Sequence, residues 1–205
     1  MIAIIDYGMG NLRSVQKAFE KVGARALISQ KKDEILKAGK VVLPGVGAIR
    51  PAIDKLRDLG LVSCIEESIA SGKPFLGICL GYQLLFERSD EGGEVQGLGI
   101  LEGSVDKFKF ASNSLKVPQM GWNQLDFRLT DCPIFKGVDN KVNTYFCHSY
   151  YVNPRHKDIV ATTTNYGIDF ASSIWKGNIF GVQFHPEKSQ DVGLKILKNF
   201  TEIQS

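Results

Sequence analysis

The sequence predicts an α/β fold, with an open mixed, largely parallel sheet flanked by helices and an antiparallel, hairpin-rich C-terminal half. Three observations predict it. Short apolar runs alternate with helical patterns from residue 2 to residue 81, the signature of a parallel sheet covered on both faces. Two glycine-framed loops, at 44–47 and around residue 79, end such runs. Those are the carboxyl ends of strands, where open α/β sheets place their ligands. From about residue 92, Gly-rich turns and short alternating runs replace the helical patterns.

Taken in order, residues 2–6 read as a buried strand and Asn11 to Val22 as a helix, apolar at Leu12, Val15, Phe19 and Val22. Asn11 suits the N-cap. A short strand over Ala24–Ile28 precedes Lys40-Val41-Val42-Leu43, which runs into Pro44-Gly45-Val46-Gly47. Helical patterns follow at 49–58 and 61–71, then a strand ending near Ile78 and a helix from Tyr82 to Arg88. The alternating runs of the second half are Leu98–Val105, Val142–Tyr151, Ile159–Thr163, Ala171–Trp175 and Ile179–Phe184, and a last helix spans Val192 to Phe200. With no internal repeat and a length of 205 residues, one domain over 1–205 is expected.

Composition narrows the function classes. Hydrophobic residues at 43% and charged residues at 23% are ordinary globular values. The net charge of +3 arises from 25 basic and 22 acidic side chains spread along the chain. Lys31-Lys32 is followed at once by Asp33-Glu34, and Lys107 and Lys109 alternate with Phe108 and Phe110. These read as solvated faces, so no nucleic-acid partner is expected. Cys64, Cys79, Cys132 and Cys147 show no Cys-x-x-Cys spacing, which argues against a zinc site or redox pair. Cys64 and Cys147 read as core fillers. Residues 2–5 carry no leader pattern, and no apolar run approaches the ~20 residues of a membrane span. A cytoplasmic protein with reduced thiols, no membrane association and no cofactor is expected. Gly8-Met9-Gly10 follows the first strand, but Arg13 stands where a dinucleotide fingerprint needs its third glycine.

The chemistry concentrates in two segments. In Gly77-Ile78-Cys79-Leu80-Gly81 a cysteine falls where a strand turns into a helix, flanked by glycines as in a nucleophile elbow. Crowded backbone at such a turn needs residues without Cβ on either side. The alternative is that Cys79 is a small core hydrophobe. A nucleophile needs a base, and there are only three histidines: His148, His156 and His185. His185 follows an apolar run and precedes Pro186, which favours extended geometry. Residues two apart in an extended segment share a face, so Glu187 can orient the ring and stabilise its charged form. The alternative is that His185 caps a strand and Glu187 is a solvated acid.

Chain order separates families. Alpha/beta-hydrolases run nucleophile, acid, histidine, whereas here the acid follows the histidine by two residues. A papain-type cysteine context is absent. Gly-x-Cys-x-Gly followed by Phe184-His185-Pro186-Glu187 resembles the triad-type, class I glutamine amidotransferases. That resemblance implies a flavodoxin-like fold and a glutaminase in which Cys79 attacks the glutamine carboxamide, His185 moves the protons and Glu187 orients His185. Pro44–Gly47 then reads as an oxyanion loop: Leu80 N–H supplies one donor and Val46 or Gly47 a second, because glycines let the backbone approach and flip.

Further stretches resemble the subgroup of this family that serves histidine biosynthesis. They are Asp6–Leu12, Pro44–Ala48, Gly77–Glu87, Val117–Asn123, Tyr145–Tyr150 and Gly181–Ser189. Position in that subgroup implies that Gln83 and Glu91 hold the amino-acid end of L-glutamine, with backbone at Ser149 and Tyr150. For Glu91, in Ser89-Asp90-Glu91, the other reading is a solvated loop. The resemblance also implies a separate cyclase subunit, a (β/α)8 barrel, as heterodimer partner, contacted by Asn11, Trp122, Tyr145 and Lys188. Core packing is the alternative for Trp122 and Tyr145. Gln119, where the subgroup commonly has His, and Cys147, commonly Val, depart from the pattern without touching the triad. The rival readings are an amidotransferase subunit of pyridoxal-phosphate, anthranilate or GMP synthesis, which Met120–Asn123 and Tyr145–Tyr150 argue against, a paralogue feeding ammonia to a surface-sugar enzyme, and a non-catalytic binding module.

Overall fold

The structure, a computed structural model, describes residues 1–110 and 115–204. Residues 111–114 and 205, which the one-domain expectation includes, lie outside the described residues. The first half alternates strands and helices as its pattern predicts. Strand β1 (Ile2–Ile5) is buried throughout and leads to helix α1 (Leu12–Lys21). Asn11 caps α1, its side-chain oxygen accepting the Ser14 N–H at 3.3 Å. Next come β2 (Ala26–Ser29), α2 (Lys32–Lys37), β3 (Lys40–Gly45), α3 (Ile49–Asp58), α4 (Leu61–Ala70) and β4 (Phe75–Cys79). Helix α2 was not foreseen: only Ile35 of its six residues is buried, too little for a readable periodicity.

After β4 the structure departs from expectation. The helix expected over Tyr82 to Arg88 is the four-residue α5 (Leu80–Gln83), and Phe86–Ser89 is a strand, β5. That strand exists through long-range pairing, with β6 (Val95–Gln96) on one side and β7 (Leu101–Lys107) on the other. Strand β8 (Gln119–Gln124), also unforeseen, and the two-residue β9 (Asp126–Phe127) precede β10 (Asn143–His148). The single run expected over Val142–Tyr151 breaks at Ser149 into β10 and β11 (Tyr150–Pro154), which join different sheets. The chain closes with β12 (Val160–Asn165), β13 (Asp169–Lys176), β14 (Ile179–Val182) and α6 (Gln190–Glu202).

The main sheet runs β2-β1-β3-β4-β14-β13-β11-β7-β5-β6, with the first five strands parallel. Strand β13 pairs antiparallel with β11, β12 and β14, as the hairpin-rich half predicts. Strand β14 nonetheless lies parallel beside β4, with Val182 opposite Ile78. This pairing brings the second half of the sequence to the end of the elbow strand. Alternate residues feed two core layers: Ala3 and Ile5 face one, Ile2 and Ile4 the other. Helices α1 and α6 close the second layer, where the Phe19 and Phe200 rings meet at 6.2 Å. Strands β8 and β10 form a separate two-stranded ribbon. Among the described residues no helix is long and apolar enough to cross a membrane.

Candidate active site

Cys79 is the last residue of β4 and has φ 54° and ψ −107°, a backbone that L-residues rarely adopt. Holding a non-glycine residue there costs about 1–3 kcal/mol, so the surroundings must fix it. They do so through the flanking glycines. A Cβ on Gly77 would lie 2.8 Å from Gly81 O and 2.9 Å from Tyr82 N, and one on Gly81 would collide with the Leu43 carbonyl. Backbone from β3, β4 and α5 therefore closes around the cysteine. The glycine frame seen in the sequence is required by close approach at both positions.

His185 lies three residues beyond β14. Its Nδ1 meets Glu187 Oε1 at 2.8 Å, with the two side chains only 4% and 2% exposed. The pairing arises differently from the extended segment expected: Pro186–Lys188 is a single 3-10 turn that folds the carboxylate back onto the ring. Ser189 Oγ donates to His185 O at 2.7 Å and accepts the Tyr145 N–H at 3.0 Å. His185 N–H in turn donates to Tyr145 O at 2.9 Å, which pins the turn to β10. Burial alone pulls the His185 imidazole down. Hydrogen bonds to Cys79 and Glu187, with the charges those groups carry, override it and push the ring up to about 10. The group is an imidazolium held between a sulfur and a carboxylate. Glu187 is thus no solvated acid.

The remaining predicted residues surround a cavity of about 280 Å³. Val46, Gly47 and Leu80 form one wall beside Cys79, while Gln83 and Glu91 form another. Ser149, Tyr150, His185 and Lys188 complete it. The volume is near the ~300 Å³ lower end for small-molecule sites, suited to a ligand of amino-acid size. A larger hollow of about 560 Å³ lies at the sheet edge around Arg88 and Arg155 and contains none of these groups, so chemistry selects the smaller one. Gly47 has φ +99°, a conformation that makes the loop depend on glycine.

Glu91 is half-buried, and its carboxylate accepts the Ile49 N–H at 2.8 Å, at the start of α3. Burial raises its pKa, with the Ile49 bond opposing. The solvated-loop reading fails because the partner comes from 42 residues away. Gln83 Nε2 donates to Tyr150 O and to Gln183 Oε1, both at 3.0 Å. Gln183, which sequence reasoning missed, donates to Cys79 Sγ at 3.7 Å. Its position two residues before His185 in an extended run was the available signal. His148 was also missed: burial drives it down to about 4, and its Nδ1 donates to Tyr150 O at 2.7 Å. It is a neutral wall of the cavity.

Trp122 is 48% exposed and packs edge-on to Tyr145 at 6.1 Å, and Lys188, which lines the cavity, places its Nζ 5.7 Å from the Tyr145 ring centroid. Core packing is therefore excluded for Trp122. Cys147 is a correction as well. It lies on the outer face of β10 opposite Met120, half-buried at the cavity, and is not a core filler like the buried Cys64. Asn11 is exposed at the start of α1. Among the described residues no group of His, Cys, Asp and Glu is arranged to hold a metal ion.

A strained cysteine at the end of a parallel strand, hydrogen-bonded to an imidazolium–carboxylate pair that follows the adjacent strand, is an arrangement chemically able to support acyl transfer. The family model for glutamine amidotransferase class-I matches residues 3–203, and the chain belongs to that family. It is 52% identical over 207 residues to the imidazole glycerol phosphate synthase subunit HisH of Syntrophotalea carbinolica, covering 99% of this chain and 100% of that one. The HisH subunit of Geobacter metallireducens is 53% identical over 203 residues, covering 97% of this chain and 96% of that one. A crystal structure of a glutamine amidotransferase superposes with TM-score 0.74 at 18% identity, covering 98% of this chain and 100% of that one. The glutaminase domain of CTPS from Trypanosoma brucei, with bound acivicin, gives 0.69 at 16% identity, covering 100% and 94%. These two structures establish the shared fold.

Proposed function

We propose that this chain, acting as one domain over residues 1–205, is the glutaminase subunit of an imidazole glycerol phosphate synthase. The observation that carries the reading is the His185 imidazolium held between Cys79 and Glu187 at a cavity sized for an amino acid. The Cys79 thiolate attacks the side-chain carbonyl carbon of L-glutamine. The tetrahedral oxyanion is met by the Leu80 N–H and by a second donor from Val46 or Gly47. His185 gives its proton to the amide nitrogen, the C–N bond breaks, and ammonia leaves a thioester on Cys79. Neutral His185 then takes a proton from water, which attacks the thioester, releasing glutamate and restoring the pair. Glu91 pairs with the substrate's ammonium, and Gln83 with backbone at Ser149 and Tyr150 helps hold the rest of its amino-acid end.

Ammonia then passes to a cyclase subunit (HisF), a (β/α)8 barrel, which uses it to convert a phosphoribulosyl-formimino-AICAR nucleotide to imidazole glycerol phosphate and AICAR. The HisH relatives support such a partner by name. The exposed face formed by Met120 and Trp122 with Tyr145, next to Lys188, is the surface assigned to it, and exposed Asn11 at the start of α1 is assigned to the same interface. Four unpaired cysteines fit a cytoplasmic location. The test is glutamine hydrolysis by the chain alone, with the cyclase, and with cyclase plus nucleotide. Strong stimulation in the ternary mixture, abolished by Cys79→Ala, is expected. Stimulation by a surface-sugar enzyme instead would overturn the pathway, and a Cys79 inert to glutamine-analogue electrophiles would overturn the chemistry.

A further inference from the structure

Tyr7 follows β1 in the core and its side chain is fully buried. Its hydroxyl has no hydrogen-bond partner among the described residues. A phenol is costly to bury in that state, and phenylalanine would fill the same volume without the cost. The position of the hydroxyl is informative. It lies against Gly45 so closely that a methyl group on that glycine would collide with it, while Leu80 Cβ would lie 3.0 Å away. Gly45 is the register partner of Cys79 and the residue before Val46. The unused donor therefore lies beneath the base of the loop that faces the nucleophile.

A trans peptide points its N–H and C=O in opposite directions. If the Gly45–Val46 peptide turns the Val46 N–H toward the cavity, the Gly45 carbonyl must turn away from it, and the Tyr7 hydroxyl is the unpartnered donor that lies against Gly45. Gly47, at φ +99°, supplies backbone freedom next to that peptide. We propose that Tyr7 is a positioning residue for the oxyanion: its hydroxyl donates to the Gly45 carbonyl when Val46 N–H faces the reacting carbonyl, and so holds the competent form of the loop. The proposal rests on the glutaminase reading above. Burial, reinforced by the charge of Cys79, raises the Tyr7 phenol well above its usual range, which keeps it a neutral donor.

Tyr7→Phe in the stimulated complex tests it. The expected result is kcat for glutamine lower by about three- to tenfold, the worth of one neutral hydrogen bond, with KM unchanged. Inhibition by glutamate γ-semialdehyde, whose adduct with Cys79 carries the tetrahedral oxygen, should weaken by the same factor. The melting temperature should hold or rise, because an unpartnered hydroxyl has been removed. An unchanged kcat with unchanged aldehyde inhibition would overturn the role. So would a lower kcat that comes with a lower melting temperature and unaltered aldehyde inhibition, the signature of a packing defect. A wild-type complex that hydrolyses no glutamine would instead sink the glutaminase reading, and Tyr7's role with it.

Discussion

Glu187→Gln keeps the shape of the side chain and removes its charge, so it isolates what the carboxylate does for His185. In the native site the Nδ1–Oε1 distance is 2.8 Å and neither side chain has appreciable contact with water. Burial is the largest single influence on the ring and acts downward; only Cys79 and Glu187 together lift it to about 10. With the carboxylate gone, the downward influence gains ground and the ring titrates well below 10. Its protonated fraction at neutral pH falls, and the amide no longer fixes the tautomer. Mispositioned general acid–base groups cost about 10²–10⁴ in rate. The assay pairs kcat with titration of the histidine ring signals by NMR, which is tractable with three histidines. The sign of the stability effect follows. Native His185 keeps its proton to about 10, whereas the unfolded chain loses it near 6.5. The stabilisation is complete below about 6.5 and is lost as pH rises toward 10, because unfolding then releases a proton. Wild-type urea midpoints should therefore fall across that window more steeply than those of Glu187→Gln. A variant with kcat within about tenfold of wild type and an unmoved His185 titration would refute the reasoning.

Three other substitutions probe separate parts of the site. Gly81→Ala drives a methyl group into the Leu43 carbonyl and should lower stability by about 1–3 kcal/mol in urea unfolding, with slower alkylation of Cys79. Glu91→Gln retains an acceptor for the Ile49 N–H but loses the charge. KM for glutamine should rise about 10–100-fold with little change in melting temperature, and an unchanged KM would remove Glu91 from the substrate site. Trp122→Ala truncates an exposed ring, so the chain's own melting should barely move. Affinity for the cyclase should fall by roughly 30-fold, the effect of a ~2 kcal/mol anchor, and unaltered affinity would place the interface elsewhere.

Much of this was legible in the sequence because its determinants are local. The elbow depends on glycines two positions either side of Cys79, and the His185–Glu187 pair on three consecutive residues. The unreadable parts have distant causes. Leu84 and Leu85 extend a helical pattern through Phe86–Ser89, and only β6 and β7 make that segment a strand. Ribbon β8 inverts the usual rule: Gln119 is buried while Met120 and Trp122 face outward, so apolar alternation points to the wrong side. Glu91 looks like a loop acid until Ile49 is folded against it.

The order of strands explains why these separate signals converge. Strand β4 is flanked by β3 on one side and β14 on the other, all parallel. Adjacent strands lie about 4.8 Å apart, so the proposed oxyanion loop after β3 and His185 after β14 approach Cys79 from opposite sides, about 10 Å from one another. In the proposed mechanism a carbonyl placed over Cys79 thus meets the loop's donors on one flank and His185 on the other. The registers Gly45 to Cys79 and Val182 to Ile78 fix this alignment. A slip of one residue in β14 would move His185 by about 3.3 Å and turn its side chain to the other face of the sheet. The Tyr145 bonds to the His185 turn and the packing of Phe200 on Phe19 oppose that slip. The C-terminal half is therefore part of the proposed site's geometry: it sets the register that brings His185 to Cys79.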